Sequence, residues 1–180
     1  MTADPGRTGA QTLDIDELDV IAPGAFAAAV TPLFEGARGF LGRLALARPF
    51  DSTEAMFARA RDIAHAMPRE EQLELIDAHP RLGAAPAAVS DLSRVEQAAG
   101  AQDAAVAAEL DALNAAYEAR FGLRYCVFVA GRSRAALLPD FRAALEADRD
   151  AEIERALDAV IDIARARYAT LTSTPLEDER

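Results

Sequence analysis

His79 is the side chain of this sequence best suited to moving protons, because it stands between a predicted helix and a proline. The preceding residues 71–77, EQLELID, have the composition of a short helix. Pro80 disfavours α geometry at the residue before it, so the helix is expected to end at His79. Histidine has the unperturbed pKa nearest to neutrality, which suits it to general acid–base catalysis.

A second set of polar side chains starts another predicted helix, after a loop predicted at 83–90. Ser93 and Glu96 have the spacing of a capping box, and that structural role alone explains both residues. It does not explain Gln97, which follows in the same first turn. A Glu96 carboxylate close to His79 would raise the basicity of the imidazole, and Ser93 and Gln97 are suited to hydrogen-bonding a polar, planar small molecule.

The run 124–130, RYCVFVA, is rich in β-branched and aromatic residues and ends at Gly131, which is typical of an extended segment. A single strand cannot form a sheet, so its backbone groups must be satisfied otherwise, and such a segment can offer free N–H and C=O groups to a ligand. The run contains Cys126, the one cysteine of the chain. We expect Cys126 to be a small buried hydrophobic side chain, and an internal disulfide is excluded.

The elements that must position these residues are helices, since the chain is rich in alanine and its apolar residues recur with helical spacing. The pattern predicts an all-α, single-domain helical bundle with one short extended segment near 124–130. Residues 1–12 and 173–180 are expected to be mobile tails on a domain that spans 13–172. Helices are predicted at about 13–20, 25–30, 33–47, 52–66, 71–77, 103–121, 134–145 and 152–171. Asp51 or Ser52 can cap the helix at 52–66, and Ser133 can cap the helix at 134–145.

Composition excludes several classes of function. The formal net charge of −11 argues against nucleic acid or an anionic membrane as a partner. Every basic residue is arginine, which excludes a Schiff base on lysine. The spacing of His65, His79 and the single cysteine does not make a metal site. Without an apolar stretch of membrane-spanning length or a signal-peptide pattern, a cytoplasmic location is expected.

The order and spacing of these motifs over about residues 20–172 resemble the family of 2-oxo-4-hydroxy-4-carboxy-5-ureidoimidazoline (OHCU) decarboxylases, which act between urate and allantoin. The resemblance is carried by Leu75-Ile76-x-Ala78-His79-Pro80-x-Leu82, Ser93-x-x-Glu96-Gln97-x-Ala99-Gly100, Leu113-Asn114-x-x-Tyr117-x-x-Arg120-Phe121-Gly122, Gly131-Arg132, Arg48-Pro49-Phe50 and Ile163-Ala164-x-x-Arg167.

The resemblance implies an all-helical, usually homodimeric enzyme that needs neither a metal nor an organic cofactor and takes a small ureide as its substrate. It implies that His79 handles the proton as carbon dioxide leaves and (S)-allantoin forms, with the Glu96 carboxylate as its partner. Arg167 would hold the departing carboxylate, although a cation near the end of the last helix also has a structural explanation. The other implied substrate-binding positions are Pro80, Ser93, Arg94, Val95, Gln97, Tyr125, Cys126, Val127, Phe128 and Val129.

Two residues depart from the commonest form of the family's histidine motif. Arg81 stands where many members have aspartate, and Gly83 stands where alanine and then glycine are usual. These departures leave two alternatives open, a paralogue that acts on another small ureide and a catalytically silent helical module that binds a ureide or a protein partner. The joint presence of His79, Glu96 and Gln97 favours the enzyme.

Overall fold

The computed structural model describes residues 13–84 and 104–173, and the regular structure in these ranges is entirely helical. The predicted all-α fold is confirmed. The predicted tails lie outside the described residues except for Ser173, so the domain boundaries stay predictions. The described helices are α1 Ile15–Val20, α2 Pro23–Phe34, α3 Arg38–Leu46, α4 Thr53–Ala66, α5 Arg69–Asp77, α6 Ala104–Phe121, α7 Arg134–Ala144 and α8 Arg149–Ser173.

Side-chain caps fix where several of these helices begin. Asp14 accepts the Asp16 N–H at 2.9 Å at the start of α1. The Ser52 hydroxyl oxygen accepts the Ala55 N–H at 3.1 Å, and the Ser133 oxygen accepts the Ala136 N–H at 3.2 Å. Each cap satisfies a backbone donor that the first turn of a helix leaves unpaired. The caps predicted at Ser52 and Ser133 are therefore confirmed.

The single helix predicted at 33–47 is wrong, because the chain breaks between α2 and α3. Glu35 and Gly36 both adopt left-handed backbone conformations, with φ of 52° and 82°. This conformation ends a helix, and glycine adopts it without strain. The new helix starts at Arg38, whose N–H is accepted by the Glu74 carboxylate of α5 at 3.1 Å. The break places Glu35 at the C-terminal end of α2.

The long helix α8 runs through the core and packs against α2, α4 and α5. Its inward side is apolar, and the fully buried positions include Ile153, Ala156, Leu157, Val160 and Ala164. Two charged residues of α8 are also buried, Glu152 near its start and Arg167 near its end. In the described ranges no helix combines the length and the apolar character needed to cross a membrane.

An aromatic cluster joins α6, α7 and the residues between them. The rings of Tyr125 and Phe141 stack with centroids 3.7 Å apart, and Tyr117 meets both rings edge-on. The Tyr117 hydroxyl donates to the Glu152 carboxylate at 2.7 Å. The same carboxylate pairs with the Arg155 guanidinium at 2.9 Å. Glu152 therefore connects α8 to the aromatic cluster through the buried Tyr117, and it also pairs with Arg155, a partly exposed residue of the same helix.

Replacing Glu152 with alanine is expected to lower the free energy of unfolding by about 2–3 kcal/mol. The loss arises because the Arg155 charge and the Tyr117 hydroxyl lose their partner in a largely buried place. Urea unfolding followed by circular dichroism measures the change. The matched control is Glu154→Ala on the exposed side of the same helix turn, which should stay within about 0.5 kcal/mol of the wild type. Equal losses for the two variants would contradict the role given to Glu152.

Candidate active site

His79 lies just beyond the C-terminal end of α5, as the sequence predicts. The Ala78 N–H makes the last regular helical hydrogen bond, to the Glu74 carbonyl at 3.0 Å. The His79 N–H bonds to the Ile76 carbonyl at 3.1 Å, only three residues back, and Pro80 has no N–H with which to continue. The side chain of His79 is almost completely buried, with 3% of the residue exposed.

The two ring nitrogens of His79 differ in their hydrogen bonding. Nδ1 lies 3.3 Å from the Leu75 carbonyl oxygen, an acceptor, so Nδ1 carries the proton and donates it. Nε2 is buried, and within residues 13–84 and 104–173 it has no hydrogen-bond partner. Burial, together with the positive charge of Arg167, lowers the pKa of His79 to about 4. At neutral pH the ring is therefore neutral and presents the Nε2 lone pair as a base.

Arg167 and His79, two of the predicted site residues, interact electrostatically, since the charge of Arg167 lowers the pKa of His79. Its guanidinium is 2% exposed and pairs with the Glu35 carboxylate at 2.9 Å. It also donates to the carbonyls of Pro32 and Leu33, at 3.2 and 3.3 Å, at the end of α2. The negative charge of Glu35 partly offsets the effect of Arg167 on the pKa of His79. The buried Arg167 is thus held by α2.

Glu35 is a residue that the sequence reasoning missed. It follows an apolar stretch and precedes Gly36. An acidic residue at such a place gives no sign that it forms a buried ion pair. Only the left-handed turn at Glu35 and Gly36 directs the carboxylate to a helix that lies far along the sequence. No local pattern in the sequence indicates this pairing.

The turn that follows His79 is tied to α6, and Arg81 and Gly83, which depart from the commonest form of the motif, both lie at this contact. Arg81 forms a two-pronged ion pair with Glu118, with Nε to Oε1 at 2.6 Å. Asn114 donates its side-chain amide to the Leu82 carbonyl at 2.9 Å. Gly83 has a φ of 85°, and an added Cβ would lie 3.1 Å from a methyl carbon of Leu110. Arg81 and Gly83 therefore both fit a close approach of this turn to α6.

Arg124 is a second contributor that the sequence reasoning did not single out. Its main-chain N–H donates to the Asp77 carboxylate at 2.8 Å. Its guanidinium Nη1 donates to the carbonyls of Asp77 and His79, at 2.8 and 3.0 Å. These acceptors lie at the end of α5, where a helix leaves carbonyl groups unpaired. Arg124 thereby joins the first residue of the extended run to the residues around His79.

The predicted extended segment is present without regular structure at 124–129, but its carbonyl groups are not all free. The Cys126 carbonyl accepts from Arg155 at 2.8 Å, and the Phe128 carbonyl accepts from Arg132 at 2.9 Å. The Val129 carbonyl accepts the Arg132 N–H at 3.0 Å. Donors of two arginines therefore satisfy these three carbonyls, which are not free to bind a ligand.

The N–H groups of this segment differ from its carbonyl groups in their hydrogen bonding. Over the described residues, no acceptor is found for the N–H groups of Val127, Phe128 and Val129, which are half-buried. A ligand would meet mainly donors here, which suits carbonyl or carboxylate oxygens. Cys126 is buried at 4% exposure, which confirms the prediction of a small buried hydrophobic side chain.

The polar residues predicted to start the helix after the loop are outside the described ranges. Ser93, Arg94, Val95, Glu96 and Gln97 lie outside the described residues, so the pairing of Glu96 with His79 stays a prediction. Pro80, by contrast, is described and lies half-buried directly after His79.

The remaining histidine is on the surface of the bundle. His65, near the C-terminal end of α4, lies 2.9 Å from the Asp158 carboxylate of α8. This contact links α4 to α8 at the surface of the bundle. Among the described residues, no three His, Cys, Asp or Glu side chains gather as metal ligands would.

Comparison with known proteins places the chain. A family model for OHCU decarboxylase matches residues 20–169. The chain belongs to the OHCU decarboxylase family. A relative in this family, the OHCU decarboxylase of Haloferax volcanii, is 26% identical over 160 residues, which are 87% of this chain and 95% of the relative.

Two further likenesses are informative. The uric acid degradation bifunctional protein PucL of Bacillus subtilis is 33% identical over 141 residues, 77% of this chain, but the match spans only 28% of that longer protein. A crystal structure of OHCU decarboxylase in the presence of (S)-allantoin has a TM-score of 0.66, covering 80% of this chain and 96% of that chain at 24% identity. At this level of identity the superposition shows the shared fold.

The buried His79 is expected to make the protein less stable in acid. Its pKa is about 4 in the folded chain and 6.5 when unperturbed. Between these values the unfolded chain binds more protons, so this contribution is complete above about pH 6.5 and is lost as the pH falls towards 4. From about pH 7 to about pH 5 the loss should be about 2 kcal/mol. Urea unfolding at the two pH values measures it; an undiminished loss in His79→Asn would contradict the assignment.

The pairing of Arg167 with Glu35 predicts strong coupling between two distant positions. Arg167→Met and Glu35→Gln should each lower the free energy of unfolding by about 2–4 kcal/mol, because each removes an opposite charge 2.9 Å from a largely buried partner. The double variant should cost about 1–3 kcal/mol less than the sum of the single losses. Urea unfolding of all four proteins measures the cycle, and additive losses would show that the pair is not coupled.

Proposed function

We propose that this protein is a cofactor-independent carboxy-lyase that converts OHCU to (S)-allantoin in urate degradation. The observation that carries the proposal is the family match over residues 20–169, combined with a buried, neutral His79 whose Nε2 is open. The matched region includes His79, the turn that follows it, the extended segment and Arg167.

The reaction suits a protein that supplies only position and proton transfer. The bond between the ring carbon and the carboxylate breaks, and its electron pair passes towards the ring imine of the substrate as carbon dioxide leaves. One proton is then needed on one face of the ring. Because the substrate itself accepts the electrons, the protein has to orient the carboxylate, exclude water and move the proton. Acid–base catalysis of this kind typically supplies about 10²–10⁴ in rate.

In this proposal His79 first acts as a base. With a pKa of about 4 it is unprotonated at neutral pH, so it takes a proton from the substrate before it gives one back. A bound anion close to the ring would raise the pKa of His79, because opposite charges favour the protonated form. The proposed partner of the imidazolium is Glu96, and Ser93 and Gln97 are proposed to hydrogen-bond the ureide.

Arg167 and the extended segment are proposed to hold the substrate's oxygen atoms. The buried guanidinium of Arg167 is suited to a carboxylate, and its pairing with Glu35 limits the charge that an empty site must carry. The N–H groups of Val127, Phe128 and Val129 are suited to carbonyl oxygens of a ureide. A homodimer and a cytoplasmic location, both expected from the resemblance and the composition, belong to the same proposal.

The decisive assay supplies fresh urate oxidation product together with the hydrolase that precedes this step. Circular dichroism then follows the appearance of optically active allantoin. The wild-type protein should accelerate the signal and give the (S) enantiomer. If the signal grows no faster than without the protein, the decarboxylase assignment falls.

His79→Asn should lower kcat by about 10²–10⁴, because the proton-accepting nitrogen is lost while the residue keeps a similar size. The matched control is His65→Asn on α4, which should retain wild-type activity because His65 contacts the surface carboxylate of Asp158. Steady-state kinetics with the same coupled assay measures both. Full activity of His79→Asn would leave the function possible but remove the proposed mechanism.

A further inference from the structure

Arg124 is bound twice to the end of α5, once through its main chain and once through its side chain. The N–H bonds to the Asp77 carboxylate, and Nη1 bridges the carbonyls of Asp77 and His79. All three contacts lie between 2.8 and 3.0 Å. Asp77 and Arg124 are 47 positions apart in the sequence, so these contacts fix a long-range relation.

The other arginines that hold the extended segment do not reach α5. Arg155 binds the Cys126 carbonyl from α8, and Arg132 binds the carbonyls of Phe128 and Val129 from the segment's own C-terminal end. In the part of the chain that the structure describes, the hydrogen bonds between this segment and the His79 turn are those of Arg124. Among the described residues, Arg124 is therefore the direct hydrogen-bonded link between the segment and the turn that carries the imidazole.

We propose that Arg124 is a positioning residue that holds the N–H groups of residues 127–129 at a fixed distance and angle from the His79 imidazole. The inference rests on the proposed function, because the segment is taken to bind the substrate and His79 to move its proton. A shift of either element alters the line between His79 and the reacting carbon. Such misplacements of about 1 Å typically cost about 10²-fold in rate.

The simpler explanation of Arg124 is a helix cap, since a cation favours the C-terminal end of a helix. The two explanations predict different behaviour. A cap alone would change the fraction of folded protein, while each folded molecule would retain its kcat and the optical purity of its product. A positioning residue changes kcat and optical purity in protein that is fully folded.

The test uses Arg124→Met, which keeps an apolar stem and removes every guanidinium contact, and Arg124→Lys, which keeps a cation with donors. Arg124→Met is expected to lower kcat about 10–100-fold with KM changed less than about threefold, and to yield allantoin of reduced optical purity. Arg124→Lys should lie between Arg124→Met and the wild type. The matched control is Arg142→Met, which removes a two-contact arginine on α7 that pairs with Glu109 and should leave all three quantities unchanged.

A measurement without substrate separates this inference from the proposed function. The chain has two histidines, so their imidazole signals can be assigned by NMR with His65 as an internal reference. In Arg124→Met the His79 signals should shift while those of His65 stay in place. If the wild type fails to decarboxylate OHCU, the proposed function falls, but this comparison still tests the link between Arg124 and His79.

The inference is overturned if Arg124→Met has wild-type kcat, wild-type optical purity and unshifted His79 signals. Should Arg124→Met fail to fold, Arg124→Lys decides. An intermediate kcat with intermediate optical purity supports positioning, and values equal to the wild type overturn it.

Discussion

Two buried charged residues on one helix, and the partners that they require, constrain how the helices of this molecule pack. Glu152 and Arg167 lie near opposite ends of α8, and both are almost fully buried. A buried charge is costly unless a partner stays with it, so each residue fixes the element that supplies its partner. Glu152 fixes Tyr117 and Arg155, and through Arg155 the extended segment. Arg167 fixes the end of α2, and α8 thereby holds two sides of the candidate site.

The extended segment shows how a chain without lysine holds a strand that has no sheet. Arginine carries several donors in a planar fork, so one side chain can bind more than one backbone carbonyl. Arg132 and Arg155 bind the carbonyls of Cys126, Phe128 and Val129, which a neighbouring strand would otherwise do, and Arg124 ties the segment to the end of α5. The N–H groups of residues 127–129 have no acceptor among the described residues, so they are suited to oxygen acceptors of a ligand.

Much of the local structure could be predicted from the sequence, because it is determined by residues that are neighbours in the sequence. The caps at Ser52 and Ser133, the helix end at His79 and the extended run each follow from a few adjacent side chains. The break after Phe34 was not predicted, since the apolar spacing continues through it and only the backbone at Glu35 and Gly36 turns. The all-helical fold follows from the summed pattern.

The candidate site was predictable only in part, for a physical reason. His79 is recognisable from its residue type and the adjacent proline. Glu35 and Arg124 act through contacts with residues far away in the sequence, and such contacts leave no periodic or local trace. The same limit applies to the extended segment, because its Cys126 carbonyl is bound by Arg155 of α8, which is distant in the sequence.

The number of residues in α5 determines which backbone carbonyl accepts the imidazole N–H of His79. In a continued helix the Leu75 carbonyl would accept the backbone N–H four residues on, but that N–H turns to Ile76 and the carbonyl accepts the imidazole instead. The tautomer of the base is thus chosen by an orphaned group of the helix backbone, independently of the identity of the Leu75 side chain. The tautomer therefore tolerates a change of the Leu75 side chain, whereas inserting or deleting one residue in α5 would change which carbonyl is left to accept the imidazole N–H.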